Sequence, residues 1–257
     1  MGRTLAIDIG GTGLKALILD DAGTTLTERV RVETPHPATP EAIVPMLVDL
    51  VKPLGSFDRI SVGFPGVVVE GVTRTAPNLD EEWQDFDLAG TLTKQLGKPT
   101  RVLNDAGVQG YAVIHGKGVE MLLTLGTGMG CALYHDGRYV PNIELAHHPF
   151  HRGKTYEEYI GVKALKRTGK KKWNKRVMRV IECVLPIFNP DRLYLGGGNA
   201  KHLKLELPPN VEIVPNLAGL IGGIALWRDA PSPTAAPALA AVKRAAVTSP
   251  RDAVVEK

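Results

Sequence analysis

A carboxylate followed by a glycine-rich turn occurs at Asp8-Ile9-Gly10-Gly11-Thr12-Gly13-Leu14-Lys15, and a sister segment, Thr124-Leu125-Gly126-Thr127-Gly128-Met129-Gly130, opens the second half of the chain. Glycines let a main chain take positive φ or approach a ligand closely. Successive N–H groups in such a turn form a concavity for a phosphate oxygen, and a threonine adds a hydroxyl donor. Asp8 adds a carboxylate suited to Mg²⁺, directly or through water, beside bound phosphates. A single segment of this kind is equally an ordinary β-hairpin with glycine at its turn. Two of them, one in each half, point to a pair of similar lobes holding a phosphate chain between them.

The elements that must position these turns are legible in the apolar pattern. Strands are predicted over Thr4–Ile9 and Leu14–Leu19, with a turn at Asp20-Asp21-Ala22-Gly23 into a third strand over about Thr25–Glu33. Thr39 is an N-cap with Pro40 at the first helical position of a helix over Glu41–Lys52. A buried strand Arg59–Phe64, a helix Phe86–Leu96 and a strand Thr100–Leu103 follow, and Asn104-Asp105 stands at the end of that strand before a helix Ala106–His115. The second half repeats the scheme. Its hairpin turns at Tyr134–Arg138, a mainly helical stretch runs from Tyr156 to about Phe188 with a break near Thr168-Gly169, and a strand Leu193–Leu195 runs into Gly196-Gly197-Gly198. A strand Val211–Pro215 and an apolar helix Gly219–Trp227 close it. These give an N-terminal lobe over 1–105 and a C-terminal lobe over 106–229, with the last helix free to pack back on the first lobe. The Ala- and Pro-rich 230–257 is expected to be a disordered tail.

The 44% apolar and 23% charged content of the 257 residues is that of a soluble globular chain with a real core. Only two cysteines occur, Cys131 and Cys183, which excludes a disulfide scaffold and a cysteine-rich zinc site. The sequence shows neither a signal peptide nor an apolar run long enough to span a bilayer, so the expectation is a cytoplasmic protein that engages no membrane. The net charge of +4 is concentrated in Lys163, Lys166, Arg167, Lys170, Lys171, Lys172, Lys175 and Arg176, a run without an acid. Such a run is either a solvated helix face or an anion-attracting patch. No interleaved aromatics accompany it, so nucleic acid is not expected as a partner.

Strand, phosphate turn, strand, strand and helix, repeated once, is the order of the actin-like ATPase fold with its ribonuclease H-like lobes, an α/β architecture of two similar lobes around a central cleft. Asp8-Ile9-Gly10-Gly11-Thr12, Leu103-Asn104-Asp105, Leu125-Gly126-Thr127-Gly128-Met129-Gly130 and Glu144-Leu145-Ala146-His147 resemble the signatures of the ROK sugar kinases. Thr34–Pro40, Gly66-Val67-Val68, Thr73–Asn78 and Val140–Glu144 resemble the polyphosphate glucokinase branch of that family. The likeness runs from about Leu5 to Trp227. It implies that Asp105 is the general base for a sugar 6-hydroxyl, kept ionised by the helix that follows it. It implies sugar ligands in Asn78, Asn104, Glu144, His147 and Glu157, with His148 and Glu158 as neighbours that leave the register open. Gly10, Gly11, Thr12, Gly13, Lys15, Gly126, Thr127, Gly128, Gly197 and Gly198 are implied to hold the phosphate donor, with Mg²⁺ at Asp8. A homodimer is implied as well.

Two departures qualify the likeness. Many members place a cysteine-rich zinc motif between the histidine and the second glutamate, where this chain has Pro149–Thr155, so no zinc is expected. Ala146 replaces a common glycine, which would cost about 1 kcal/mol if positive φ were needed there. The expected reaction is phosphorylation of glucose at its 6-hydroxyl, with inorganic polyphosphate favoured as donor by the branch likeness and the basic run, and ATP left possible by Gly196–Gly198. The alternatives are a strictly ATP-dependent ROK hexose or amino-sugar kinase and a non-catalytic sugar-sensing regulator.

Overall fold

The computed structural model describes residues 2–214 and 218–228. The predicted tail 230–257 and Pro215 at the end of the last predicted strand lie outside these residues.

The first half is built on one sheet. The apolar strands β1 (Thr4–Gly10) and β2 (Gly13–Leu19) pair antiparallel, with Gly10 opposite Gly13 and Asp8 opposite Lys15. The edge strand β3 (Val30–Val32) sets Arg31 opposite Lys15. The predicted third strand is therefore much shorter than expected. Upstream of it, the Thr27 hydroxyl accepts the Ile18 N–H at 3.0 Å and displaces the backbone ladder, leaving an isolated bridge between Leu19 and Thr25. Helix α1 (Pro40–Val51) begins where the Thr39 hydroxyl accepts the Ala42 N–H. Strand β4 (Arg59–Phe64) runs parallel to β1. The short strands β5 (Val68–Val69), β6 (Val72–Thr73) and β7 (Phe86–Asp87) form a separate small sheet. The predicted helix from Phe86 starts two residues late, as α2 (Leu88–Leu96), because the Asp87 carboxylate caps it by accepting the Gly90 N–H at 2.8 Å. Strand β8 (Thr100–Asn104) completes the order β3-β2-β1-β4-β8.

Helix α3 (Asp105–Tyr111) leads into the second half. It ends short of the predicted His115 because Glu120 accepts the N–H groups of His115, Gly116 and Lys117 and holds them as a turn. Strands β9 (Val119–Leu125), β10 (Met129–His135) and β11 (Arg138–Val140) form an antiparallel meander. The small hairpin β12 (Pro149–His151) and β13 (Lys154–Thr155) follows, then α4 (Tyr156–Ile160) and the long α5 (Val162–Phe188). The expected break falls within α5 at Gly169, whose φ of 72° and ψ of 160° are not helical. Strands β14 (Arg192–Gly196) and β15 (Val211–Ile213) add in parallel, giving the order β11-β10-β9-β14-β15. The two five-stranded sheets thus share one topology, two antiparallel steps followed by two parallel ones. This is the duplicated architecture of the actin-like ATPases.

The chain then crosses back. Helix α6 (Ala218–Ile221) continues as a 3-10 turn over Gly222–Trp227 where a single helix was expected; the Gly222-Gly223 pair disfavours the longer α-helix. Leu220 packs on Ala6, Leu17 and Leu19 of the first sheet. Ser61 donates to the Gly223 carbonyl at 2.7 Å and accepts from the Trp227 indole at 2.8 Å. The Arg101 and Arg59 guanidiniums lie over the Trp227 ring, 4.4 and 5.4 Å from its centroid. No helix among the described residues is long and apolar enough to cross a membrane.

Candidate active site

The two glycine turns face each other across a cleft of about 590 Å³. In the first, a Cβ on Gly11 would stand 3.0 Å from the Asn78 carbonyl and one on Gly10 would stand 3.1 Å from that of Gly13. None of the glycines of either hairpin has positive φ. Close approach, and not left-handed backbone, is what Gly10 and Gly11 demand. The second hairpin is keyed to its surroundings in the same way: Gly128 lies against the Glu157 carboxylate, and Gly130 donates to the Thr124 hydroxyl at 3.0 Å. Gly197 is different. Its φ is +84°, and a Cβ there would stand 2.6 Å from the Leu125 backbone. Asn199 fastens that turn to the hairpin by donating from its side chain to the Gly126 carbonyl at 2.8 Å.

Gly10, Gly11, Thr12, Lys15, Gly126, Thr127, Gly128, Gly197 and Gly198 all line the cleft, as does Asp8. Gly13 does not; it lies beneath the Arg31 guanidinium, which a side chain at position 13 would displace. Lys15 Nζ donates to Asp8 Oδ2 at 2.7 Å across the first hairpin. No cluster of three or more His, Cys, Asp or Glu side chains arranged to hold a metal is present among the described residues.

Asp105, the first residue of α3, lines the same cleft as the hairpins. The cap of that helix is Asn104, whose Oδ1 accepts from Ala106 and Gly107 at 3.0 and 3.2 Å. Asp105 Oδ1 also accepts the Ala106 N–H, at 2.7 Å. The expectation that the helix keeps it ionised is not met. Burial first, and the negative charge of Asp8 second, raise its pKa from 3.8 to about 7, against the opposing pull of the Ala106 N–H. Lys15 also lowers it, by less. A carboxylate poised near neutrality is well matched to accepting a proton during group transfer.

The remaining expected polar side chains share the cleft with Asp105. Asn78, Asn104, Glu144, His147 and Glu157 all line the cleft. Asn104 retains the least capacity for a ligand, since its oxygen caps α3 and its Nδ2 donates to the Gly66 carbonyl at 3.1 Å. Glu144 and His147 flank a 3-10 turn with Nε2 and Oε2 3.5 Å apart. Burial raises the Glu144 pKa, with the Glu157 charge adding to it and His147 opposing. Glu158 forms a capping box with Thr155 at 2.9 and 3.2 Å, which leaves Glu157 as the cleft-facing member of the pair. His148 instead lies 6.3 Å from the Tyr156 ring. Ala146 has no positive φ, so its replacement of glycine carries no backbone strain. Between His147 and Glu157 the β12–β13 hairpin is held by aromatics: Phe150 packs on Tyr156 at 4.2 Å and Tyr159 at 5.1 Å, and Arg176 covers Tyr159 at 4.7 Å.

Arg29, Arg31 and Gln109 also line the cleft and were not among the expected residues. Only strand register reveals the arginines, because it sets Arg31 opposite Lys15. Gln109 follows Asp105 by four residues on α3, the spacing of one helix face.

Two glycine hairpins and a carboxylate lining one cleft between two sheets of the same topology place the chain in the actin-like ATPase fold. The ROK family model matches residues 4–141, and the chain belongs to the ROK family. A polyphosphate glucokinase of Mycobacterium tuberculosis is 36% identical over 233 residues, which cover 84% of this chain and 88% of that protein. The crystal structure of an inorganic polyphosphate/ATP-glucomannokinase from Arthrobacter sp. strain KM superposes with a TM-score of 0.80 at 35% identity, covering 88% of this chain and all of that one. A Streptomyces griseus ROK glucokinase solved with glucose and AMPPNP shares the fold at a TM-score of 0.71 and 21% identity, over 88% of this chain and 99% of that one.

Proposed function

We propose that this protein is a kinase that transfers a phosphoryl group from inorganic polyphosphate, with ATP as a second donor, to the 6-hydroxyl of glucose. The observation that carries this is that Asp105 lines one cleft together with both glycine hairpins and with Asn78, Glu144, His147 and Glu157. Carboxylates accept from sugar hydroxyls, and amides and neutral imidazole do both, so ligands converging from separate loops suit a ring bearing hydroxyls on all sides. The names of the relatives that match over most of the chain support both donor and acceptor.

In this mechanism Asp105 accepts the proton of the 6-hydroxyl as the sugar oxygen bonds to the terminal phosphorus. The bond from that phosphorus to the bridging oxygen breaks, and its electron pair leaves with the shortened donor. Backbone N–H groups of the two hairpins and the Lys15 ammonium stabilise the charge that develops on the phosphoryl oxygens. Asp8 would hold Mg²⁺, since a single carboxylate together with donor phosphates is a set that this ion takes. When bound, Mg²⁺ neutralises charge on the donor oxygens. Closure of the lobes around the sugar excludes water and suppresses hydrolysis of the donor.

The donor preference rests on charge. Helix α5 begins at the second hairpin, where the Val162 N–H donates to the Thr127 carbonyl at 3.1 Å, and carries the exposed Lys163, Lys166, Arg167, Lys170, Lys171 and Lys172 away from it. Spaced cations reward a long polyanion more than a nucleotide. The Gly197-Gly198 turn favours ATP as the second reading. Incubating the protein and glucose with polyphosphate or with ATP, with and without Mg²⁺, and assaying glucose 6-phosphate tests both. Formation with ATP alone would replace the donor, and formation with neither would overturn the kinase reading in favour of a sugar-binding regulator.

A further inference from the structure

Two cations stand in a row outward from Asp8 across the first sheet, and only the inner one belongs to the hairpin motif. Asp8 on β1 faces Lys15 on β2, and Lys15 faces Arg31 on β3. Directly opposed residues of antiparallel strands point to the same side of a sheet. Adjacent strands lie about 4.8 Å apart, so the row runs outward from Asp8 for about 10 Å and ends at the sheet edge. Arg29, two residues before Arg31, lines the same cleft. Both arginines are exposed, and neither makes a salt bridge among the described residues. The Arg31 guanidinium is nonetheless placed, since it donates to the Thr12 carbonyl at 3.2 Å and lies over Gly13.

This row leaves the cleft on the first lobe, whereas the Gly197-Gly198 turn belongs to the second. The cleft is therefore lined by the Gly197-Gly198 turn from the second half of the chain and by the guanidinium-bearing Arg29 and Arg31 from the first. Guanidinium is the side chain whose planar fork matches phosphate oxygens. We infer that Arg29 and Arg31 form a chain-length subsite, which binds phosphates of an inorganic polyphosphate beyond the first three and directs the chain over the β3 edge. The inference rests on the phosphotransferase reading above. The plain alternative is that two charged side chains merely protect an edge strand from pairing with another molecule.

The test compares full-length wild type with Arg29→Gln/Arg31→Gln and with Arg29→Lys/Arg31→Lys. The quantity read is the ratio of kcat/KM for a long polyphosphate to that for tripolyphosphate, with ATP as a third donor, at two salt concentrations. A ratio that falls about tenfold in the Gln pair, is partly restored in the Lys pair and loses about one unit of salt slope per cation removed supports the subsite. A ratio equal to that of wild type overturns it, whether the Gln pair retains full activity or loses activity equally with all donors. The second of these outcomes would mean that Arg31 only props the hairpin at Thr12. A wild type that uses ATP but no inorganic donor overturns the subsite while leaving a kinase. A wild type inactive with every donor overturns the kinase reading as well.

Discussion

Replacing Asp105 with Asn should cut turnover by orders of magnitude while making the folded protein more stable, and the pH at which the gain appears is fixed by the site. The carboxyl has a pKa of about 7 in the fold against an ordinary 3.8. Between these values the folded state keeps a proton that the unfolded chain has released. Its contribution to stability is therefore full below pH 3.8, is lost as pH rises through the window, and is constant above about pH 7. At about 1.36 kcal/mol per pH unit, the full loss is about 4 kcal/mol. Water reaching the carboxylate through the open cleft lowers this toward about 2 kcal/mol. Asn carries no charge at any pH and never incurs it. Urea denaturation should thus find Asp105→Asn about 2–4 kcal/mol more stable than wild type at pH 8, less than half of that at pH 5, and equal near pH 4. Glucose 6-phosphate formation should fall by about 10²–10⁴. A variant less stable than wild type at pH 8, or a gain of the same size at pH 4, would show that the buried carboxylate is not held at an energetic cost and would refute the account of its pKa.

The same titration should govern activity: kcat/KM for glucose rises with pH along a single-proton limb centred near 7, and Lys15→Met moves that limb to higher pH because the ammonium favours the ionised form of Asp105. A limb that stays in place in that variant would exclude Lys15 as an influence on the base. Phe150→Ala removes the ring that packs on Tyr156 and Tyr159, so the KM for glucose should rise more than that for donor, with about 2–3 kcal/mol lost in urea denaturation. Equal effects on both substrates would mean that the aromatic hairpin does not act through Glu157. Trp227→Ala should lower stability by about 2–3 kcal/mol through lost packing and cation–π contact, and calorimetry showing no change would dismiss the C-terminal crossing as a stabilising element.

Much of this arrangement was legible because duplicated local patterns have local causes. The strand at Arg59–Phe64, the hairpin at Gly10–Gly13 and the Thr39 cap each follow from a few adjacent residues. The errors arose where a distant or competing group intervened. Thr27 substitutes its side chain for a backbone partner, Glu120 gathers three N–H groups and ends α3 early, and Asp87 caps a helix that periodicity alone starts at Phe86. In the cleft, sixteen of the expected residues line one cavity, but the raised pKa of Asp105 could not be foreseen. Asn104, adjacent to it, takes the helix cap, and Asp8, nearly a hundred residues away, supplies the opposing charge. Arg29 and Arg31 were hidden for a related reason: their meaning lies in strand register and not in their neighbours along the chain.

The crossing of α6 and the turn after it has a consequence for how the molecule comes into being. Ser61 and the apolar patch at Ala6, Leu17 and Leu19 are covered by Gly223 and Leu220, residues about 160–210 positions later. As the chain leaves the ribosome, the first sheet can form its ladders early, yet its patch at Ala6, Leu17 and Leu19 stays uncovered until nearly the whole described chain has been made. Loop closure on this scale makes such contacts slow to form, and an uncovered apolar face is open to mispairing meanwhile. The first lobe is thus translated first and finished last, and a truncation just before Leu220 would compromise the half of the molecule farthest from the cut.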